Sequence, residues 1–242
     1  MFFNKTMELG IKQLKKELQK KANSKKAKIL SRFFKTGKGQ YGEGDIFLGI
    51  SVPETRSVAE KFVNLNFDDI KKLLDNEIHE LRLTALFILI NKYKQNHEKR
   101  KDVFDFYINN LKQVNNWDLV DLSAPNIIGD FLFNKPRAML HKLAKSDNLW
   151  EKRISIIATL SFIKKNQFRD TFKISRILLN DKHDLIHKAV GWMLREIGKR
   201  NQEVEEWFLK KHYKKMPRTM LRYAIEKFDE VKRRKFLNGR IK

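Results

Sequence analysis

Trp117 and Asp121 stand four positions apart in the stretch WDLVD, so on a helix they share one face. Two more tryptophans keep similar company. Trp150 precedes Arg153 by three residues, and Trp192 follows Lys188 by four in KAVGWMLRE. Indole faces attract cations by about 0.5–2 kcal/mol, and a carboxylate adds a full negative charge. Taken singly, each tryptophan is more often a large packing unit than a functional group. Together, an acid flanked by indoles describes a site that holds positive charge. Trp207, in VEEWFLKKH, falls on the other helix of its pair and is expected in the core.

The chain around these residues is strongly basic. Its 52 Lys and Arg outweigh 29 Asp and Glu, for a formal charge of +23 over 242 residues. Such an excess selects a polyanion partner, nucleic acid or an anionic membrane surface. A lone carboxylate in a phosphate-binding groove weakens binding unless it meets a cation. Normal bases are neutral, whereas purines alkylated at N3 or N7 are cationic. Their glycosidic bond breaks through an oxocarbenium-like sugar. A carboxylate near that sugar stabilises the transition state more than the ground state.

Other chemistries find less support. There are no cysteines, which removes thiolate metal sites, disulfides and Cys nucleophiles. The six histidines, at 79, 97, 141, 183, 187 and 212, are scattered; His183 and His187 have i,i+4 spacing but no H-E-x-x-H pattern, so they are expected on the surface. No metal and no cofactor are expected. No nucleophile-elbow motif supports a Ser–His–Asp arrangement. The segment 34–54 carries five of the ten glycines. It is either a phosphate cradle or a connector, and it lacks the G-K-[ST] ending of a Walker loop. Val52-Pro53 marks the start of the next helix.

The elements that must position these residues are helices. Amphipathic patterns run through 7–22, 68–76 and 101–114, and only 4 prolines interrupt the chain. Four segments repeat a basic residue followed by a small and apolar stripe: 81–93, 152–165, 187–199 and 221–228. Their basic residues are Arg82, Arg153, Lys188 and Arg222. The last three fall 35 and 34 residues apart, and the stretch 117–132 occupies the slot between the first two. This period predicts an all-α fold, a curved α-solenoid of helical repeats whose repeated basic residues recur along a concave basic groove. One domain over 1–242 is expected, with N-terminal helices over 1–35 and a basic tail over 229–242 that the sequence leaves open as flexible or ordered. No targeting segment is visible. The longest apolar run, ALFILI at 85–90, is far short of a membrane span. A cytoplasmic protein, nucleoid-associated when bound to DNA, is the expectation.

The stretches 33–56, 115–132, 146–165, 187–200 and 216–228 are similar to the AlkD-like DNA alkylation repair family, alkylpurine DNA glycosylases built from HEAT-like repeats. The motifs WDLVD, LWEKR and KAVGWMLRE occur here in that order, and the resemblance covers most of the chain from about residue 30. It implies that Asp121 is the catalytic acid, that Trp117 and Trp192 are the groove tryptophans, and that Arg153 grips a phosphate. Tyr41 corresponds to a family tyrosine of the N-terminal segment. Lys188, Arg222 and Arg56 complete the DNA-binding set. The resemblance further implies a monomer that excises 3-alkyladenine and 7-alkylguanine from double-stranded DNA. It would contact the lesion's sugar and backbone without flipping the base into a pocket.

From composition and repeats alone, a noncatalytic helical-repeat module that binds DNA or RNA by charge is the stronger reading. A scaffold for acidic protein partners would use the same basic surface. The set Trp117, Asp121, Arg153 and Trp192 is what favours the enzyme.

Overall fold

Asparagine opens helix after helix in this chain. Asn23, Asn66, Asn148 and Asn201 each turn a side-chain oxygen to a backbone N–H two or three residues on. Ser51 and Glu54 form a capping box ahead of Pro53. Each such cap stabilises its helix by about 1 kcal/mol. A computed structural model describes residues 10–241, and the chain is all-α as expected, with one isolated bridge between Ile46 and Ile78. It divides into two compact units, one ending at Leu119 and the other beginning at Val120.

The first unit contains α1 (Ile11–Gln19), α2 (Ser24–Phe33), α3 (Val52–Lys61), α4 (Phe67–Leu74), α5 (His79–Gln95) and α6 (Arg100–Asn109). The division then falls inside α7 (Trp117–Ser123). Helix α5 is the centre of its unit, buried on nearly every face and packed by α3, α4 and α6. Helix α3 starts at Val52 with proline in its first turn, as the sequence indicates.

The second unit continues from α7 through a wide π-type turn, Pro125–Gly129, in which the Gly129 N–H reaches five residues back to the Ala124 carbonyl. Proline lacks an N–H, and the wide turn absorbs it without ending the chain's helical course. Then come α8 (Ala138–Leu143), α9 (Leu149–Ile157), α10 (Leu160–Ile163), α11 (Arg169–Leu178), α12 (Asp184–Gly198), α13 (Gln202–His212), α14 (Arg218–Ala224) and α15 (Glu230–Leu237). Helix α12 is central here, packed by α9 on one side and α14 on another. Gly191 permits the approach of α14: a Cβ there would lie 2.5 Å from the Met220 carbonyl oxygen. The repeated segments fall on α5, on α9 with α10, on α12 and on α14.

The basic tail, whose order the sequence leaves open, is helical in part: residues 230–237 form α15, whose Phe236 is buried against Tyr213 and Phe228. Tyr213 and Arg218 also hydrogen-bond carbonyls of Leu237, Gly239 and Ile241. Trp207 is not core. It is 52% exposed and lies under the Lys211 ammonium, 4.0 Å from its ring. The repeated basic residue recurs on an open surface only in part: Arg222 is exposed, but Arg82 and Arg153 are only 4% and 5% exposed. Each of these two meets a carboxylate, which is what permits an arginine to be buried.

One buried acid has no such partner. Glu205 of α13 is 1% exposed, packs against Gly198, and its Oε1 makes no hydrogen bond. Burial, reinforced by the neighbouring Glu206 charge and opposed by Arg195, pushes its carboxyl up to about 9 from the ordinary 4.5. The folded state therefore holds a proton that the unfolded chain has released between about pH 4.5 and 9, and stability falls as pH rises through that window. A full proton of difference is worth about 1.4 kcal/mol per pH unit. Glu205→Gln is predicted to flatten this decline in urea denaturation between pH 5 and 9; a slope as steep as the parent's would contradict the assignment.

Candidate functional site

The carboxylate of Asp121 is held by Arg153. The guanidinium Nε donates to Oδ1 at 2.9 Å and Nη2 donates to Oδ2 at 2.7 Å, a bidentate pair. Nη1 donates to the Leu185 carbonyl at 2.5 Å, at the start of α12. Asn148 starts the helix that carries Arg153, and the His183 ring accepts the Leu185 N–H to start α12. Burial lowers the His183 pKa, which suits a ring nitrogen that must accept. This histidine, expected as a surface residue, is a helix cap. The acid is thus positioned by α7, α9 and the first turn of α12. Of its side chain, 16% remains exposed.

All three nitrogens of the Arg153 guanidinium have partners within the protein, two on Asp121 and one on the Leu185 carbonyl. The pair is formally neutral, so Asp121 can persist in a cationic protein without repelling phosphate. A carboxylate offers about four lone-pair sites, and the guanidinium takes two.

Trp192, in the same unit, is partly exposed on α12 and donates its indole N–H to Glu196 at 3.0 Å. Glu196 also meets Lys199 at 2.6 Å. The indole is therefore anchored at its edge and keeps its ring for contact. Lys188 pairs with Asp184 one turn back, at 2.7 Å, while Arg222 is exposed on α14.

Trp117 is built into the first unit. It stacks on Phe34 at 5.0 Å with planes 7° apart, and Phe33 meets it edge-on. Phe34 in turn stacks on Phe47, which stacks on the His79 ring at 4.6 Å. The indole thus ends an aromatic column. Trp117 and Asp121 lie one turn apart in α7.

The glycine-rich segment serves that column. Its N–H groups at Leu48, Gly49 and Ile50 all donate to the Glu80 carboxylate, at 2.8–3.2 Å. The anion cradle exists, but an internal carboxylate fills it, so the connector reading holds at those three residues. Gly49 has φ +81°, and a Cβ there would lie 2.1 Å from the Asn23 carbonyl oxygen at the start of α2. Tyr41 is partly exposed, its hydroxyl 3.5 Å from the Phe33 carbonyl. Arg56 is exposed on α3 with its guanidinium 4.9 Å over the Phe87 ring.

Sequence reasoning passed over the residues behind Trp117. Asp45, His79, Arg82, Asn116 and Asp118 form a buried network beneath it. Asp118 stands inside the WDLVD motif, and its burial is invisible to spacing alone. Among the described residues, no cluster of three or more His, Asp or Glu is arranged to hold a metal ion, and no helix is long and apolar enough to cross a membrane.

The ion pair has a measurable consequence. Removing one partner of a buried pair leaves the other uncompensated. Arg153→Ala is predicted to lower unfolding stability by about 2 kcal/mol in urea denaturation, since Asp121 is mostly covered. A change under about 0.5 kcal/mol, the level of a surface pair, would show that the two do not hold each other.

The profile of a protein family described as DNA alkylation repair enzyme matches residues 14–228. Among solved structures, the chain is similar to one described as a predicted DNA alkylation repair enzyme from Enterococcus faecalis. That likeness has a TM-score of 0.65 and 16% identity, and covers 87% of this chain and 98% of that one. It is also similar to smu.31 from Streptococcus mutans UA159, at TM-score 0.55 and 18% identity over 84% and 100% of the two chains. At these identities the likeness concerns the fold. No curated protein matches the chain. The family profile spans most of the sequence, from α1 to the end of the last repeated segment, and the chain belongs to the DNA alkylation repair enzyme family.

Proposed function

We propose that the protein is a monofunctional DNA glycosylase that hydrolyses the N-glycosidic bond of cationic alkylated purines, 3-alkyladenine and 7-alkylguanine, in duplex DNA, as the first step of base excision repair. The observation that carries this reading is the Asp121 carboxylate, oriented by the Arg153 fork and still partly open.

The lesion supplies much of the driving force. A purine alkylated at N3 or N7 already bears a positive charge, so the departing base takes the bonding electron pair and leaves neutral. Positive charge then moves to the deoxyribose. An oriented carboxylate stabilises that charge more than it stabilises the starting nucleotide. Water adds its oxygen to C1′, and its proton passes to Asp121 or to solvent. The indole face of Trp117, one turn from Asp121 on α7, favours the same cationic sugar, and Trp192 offers an indole face in the unit of Asp121. Since charge and bond lability select the substrate, the base need not be flipped into a pocket. Arg153 acts by holding Asp121, a departure from the phosphate grip that the sequence implies. Arg56, Lys188, Arg222, Tyr41 and the general Lys and Arg excess supply contacts to the DNA backbone. On this reading the protein works as a monomer, in the cytoplasm and on the nucleoid, and needs neither metal nor membrane.

A second reading is favoured by the same ion pair. A closed Asp–Arg pair also suits a noncatalytic module that binds DNA or RNA by charge. Release of free methylated base from alkylated duplex, run without added metal, separates the two. We predict that Asp121→Asn lowers 7-methylguanine release by about 100-fold while duplex affinity is kept. Equal release by variant and parent would leave the module standing. Arg222→Ala is predicted to weaken duplex binding and reduce the salt slope by about one; an unchanged slope would remove Arg222 from the interface.

A further inference from the structure

Beneath Trp117, at the centre of the first unit, two carboxylates face the same histidine. His79 opens α5 and is 2% exposed. Its Nε2 lies 2.7 Å from Asp118 Oδ2, and its Nδ1 lies 3.3 Å from Asp45 Oδ2. Asp45 belongs to the glycine-rich segment, and Asp118 follows Trp117 directly in α7. Asn116, the residue before Trp117, donates to the same Asp45 oxygen at 3.0 Å. The ring also packs on Phe47 at 4.6 Å and Phe34 at 5.0 Å, which stack on each other at 4.9 Å, and Phe34 carries the Trp117 indole.

We propose that His79 is a positioning residue for Trp117, acting as the bolt that ties Asp118 at the start of α7 to Asp45 of the glycine-rich segment beneath the aromatic column. The inference rests on the reading that Trp117 contacts the substrate; the placement of the indole by His79 is independent of it.

The geometry requires a particular protonation state. A neutral imidazole has one N–H, so it donates to one carboxylate and turns a lone pair on the other. An imidazolium donates to both. Burial opposes the charge, yet the hydrogen bonds to Asp118 and Asp45 prevail and lift the His79 pKa to about 8. Asp45 is lowered: burial works against it, but His79, Arg82 and Asn116 outweigh the penalty. Five charged groups face the ring or its neighbours from other positions. Asp45 comes from the glycine-rich segment and Asp118 from α7, while Arg82 of α5 lies 3.5 Å from Nδ1 and donates to Asp45 Oδ1 at 2.6 Å. Glu80 of α5 is occupied by the N–H groups at 48–50. Lys26 of α2 lines the same apolar cavity of about 270 Å³ as the ring. A histidine whose folded pKa is raised contributes fully below its ordinary value of 6.5, and that contribution is lost as pH rises through about 8. The bolt is closed at neutral pH and opens in mild alkali.

The test is a pH titration of the full-length protein labelled with ¹⁵N-tryptophan, with the Trp117 indole signal assigned through Trp117→Phe. The expected result is a Trp117 shift with a midpoint near pH 8 that follows the His79 imidazole Cε1–H, while Trp207, in the other unit, stays still. A Trp117 signal that does not move while His79 titrates overturns the inference. The parent alone decides this, so a variant that fails to fold does no harm. In a second arm, His79→Gln is expected to reduce excision of 7-methylguanine at pH 7 about tenfold. It should also abolish the parent's fall in rate near pH 8 and leave affinity for undamaged duplex unchanged. Superimposable pH profiles also overturn it. A parent that releases no methylated base refutes the glycosylase reading, and the Trp117 titration then settles the positioning role by itself.

Discussion

A guanidinium closed on both oxygens of one carboxylate governs what Asp121 can do. A partly buried acid in a chain of charge +23 needs a partner, and the fork of Arg153 supplies one with two hydrogen bonds of good geometry. The partner is itself fixed, because its remaining nitrogen rests on the Leu185 carbonyl. The position of the acid therefore descends from ordinary helix-starting chemistry: Asn148 opens the helix of Arg153, and His183 opens the helix that presents Leu185. On the proposed reading, a carboxylate restrained in this way has little reorganisation left to do when positive charge develops on a sugar, which is the condition for electrostatic catalysis.

The first unit solves the same problem with different parts. Arg82 is buried on Asp45, His79 bridges Asp45 and Asp118, and Glu80 satisfies three successive N–H groups of the glycine-rich segment. Every one of these charges is paired, as burial demands. Two of the repeated arginines, Arg82 and Arg153, therefore act as internal ties, whereas Arg222 and Arg56 are left in solvent, where the proposed function needs its cations. The division has a functional logic. Tied arginines set geometry and are insensitive to salt, whereas exposed ones set affinity and are screened by it.

Helical class, the start of α3 at Val52-Pro53 and the repeat of small and apolar stripes were all legible in the sequence. They rest on local rules of periodicity and capping that a chain carries in its own order. The acid at 121, the indoles at 117 and 192, and the arginine at 153 could be picked out as candidates, because their spacings and motif order are properties of the string. Burial was less legible. Trp207 was expected in the core because it falls on the other helix of its pair, yet it lies on an exposed face of α13. The sequence left the order of the tail open, and one phenylalanine at 236 gives it something to bury.

By itself, then, the sequence determined which side chains are present, which of them share a helix, and that the whole carries a large positive charge. Only the tertiary structure decided which charges would be spent on one another. Arg153 reaches across 32 positions to Asp121, and His79 across 39 to Asp118. Partnerships of that range depend on how helices pack, and burial makes them obligatory: once water is excluded, a charge must take whichever opposite charge the packing brings within reach.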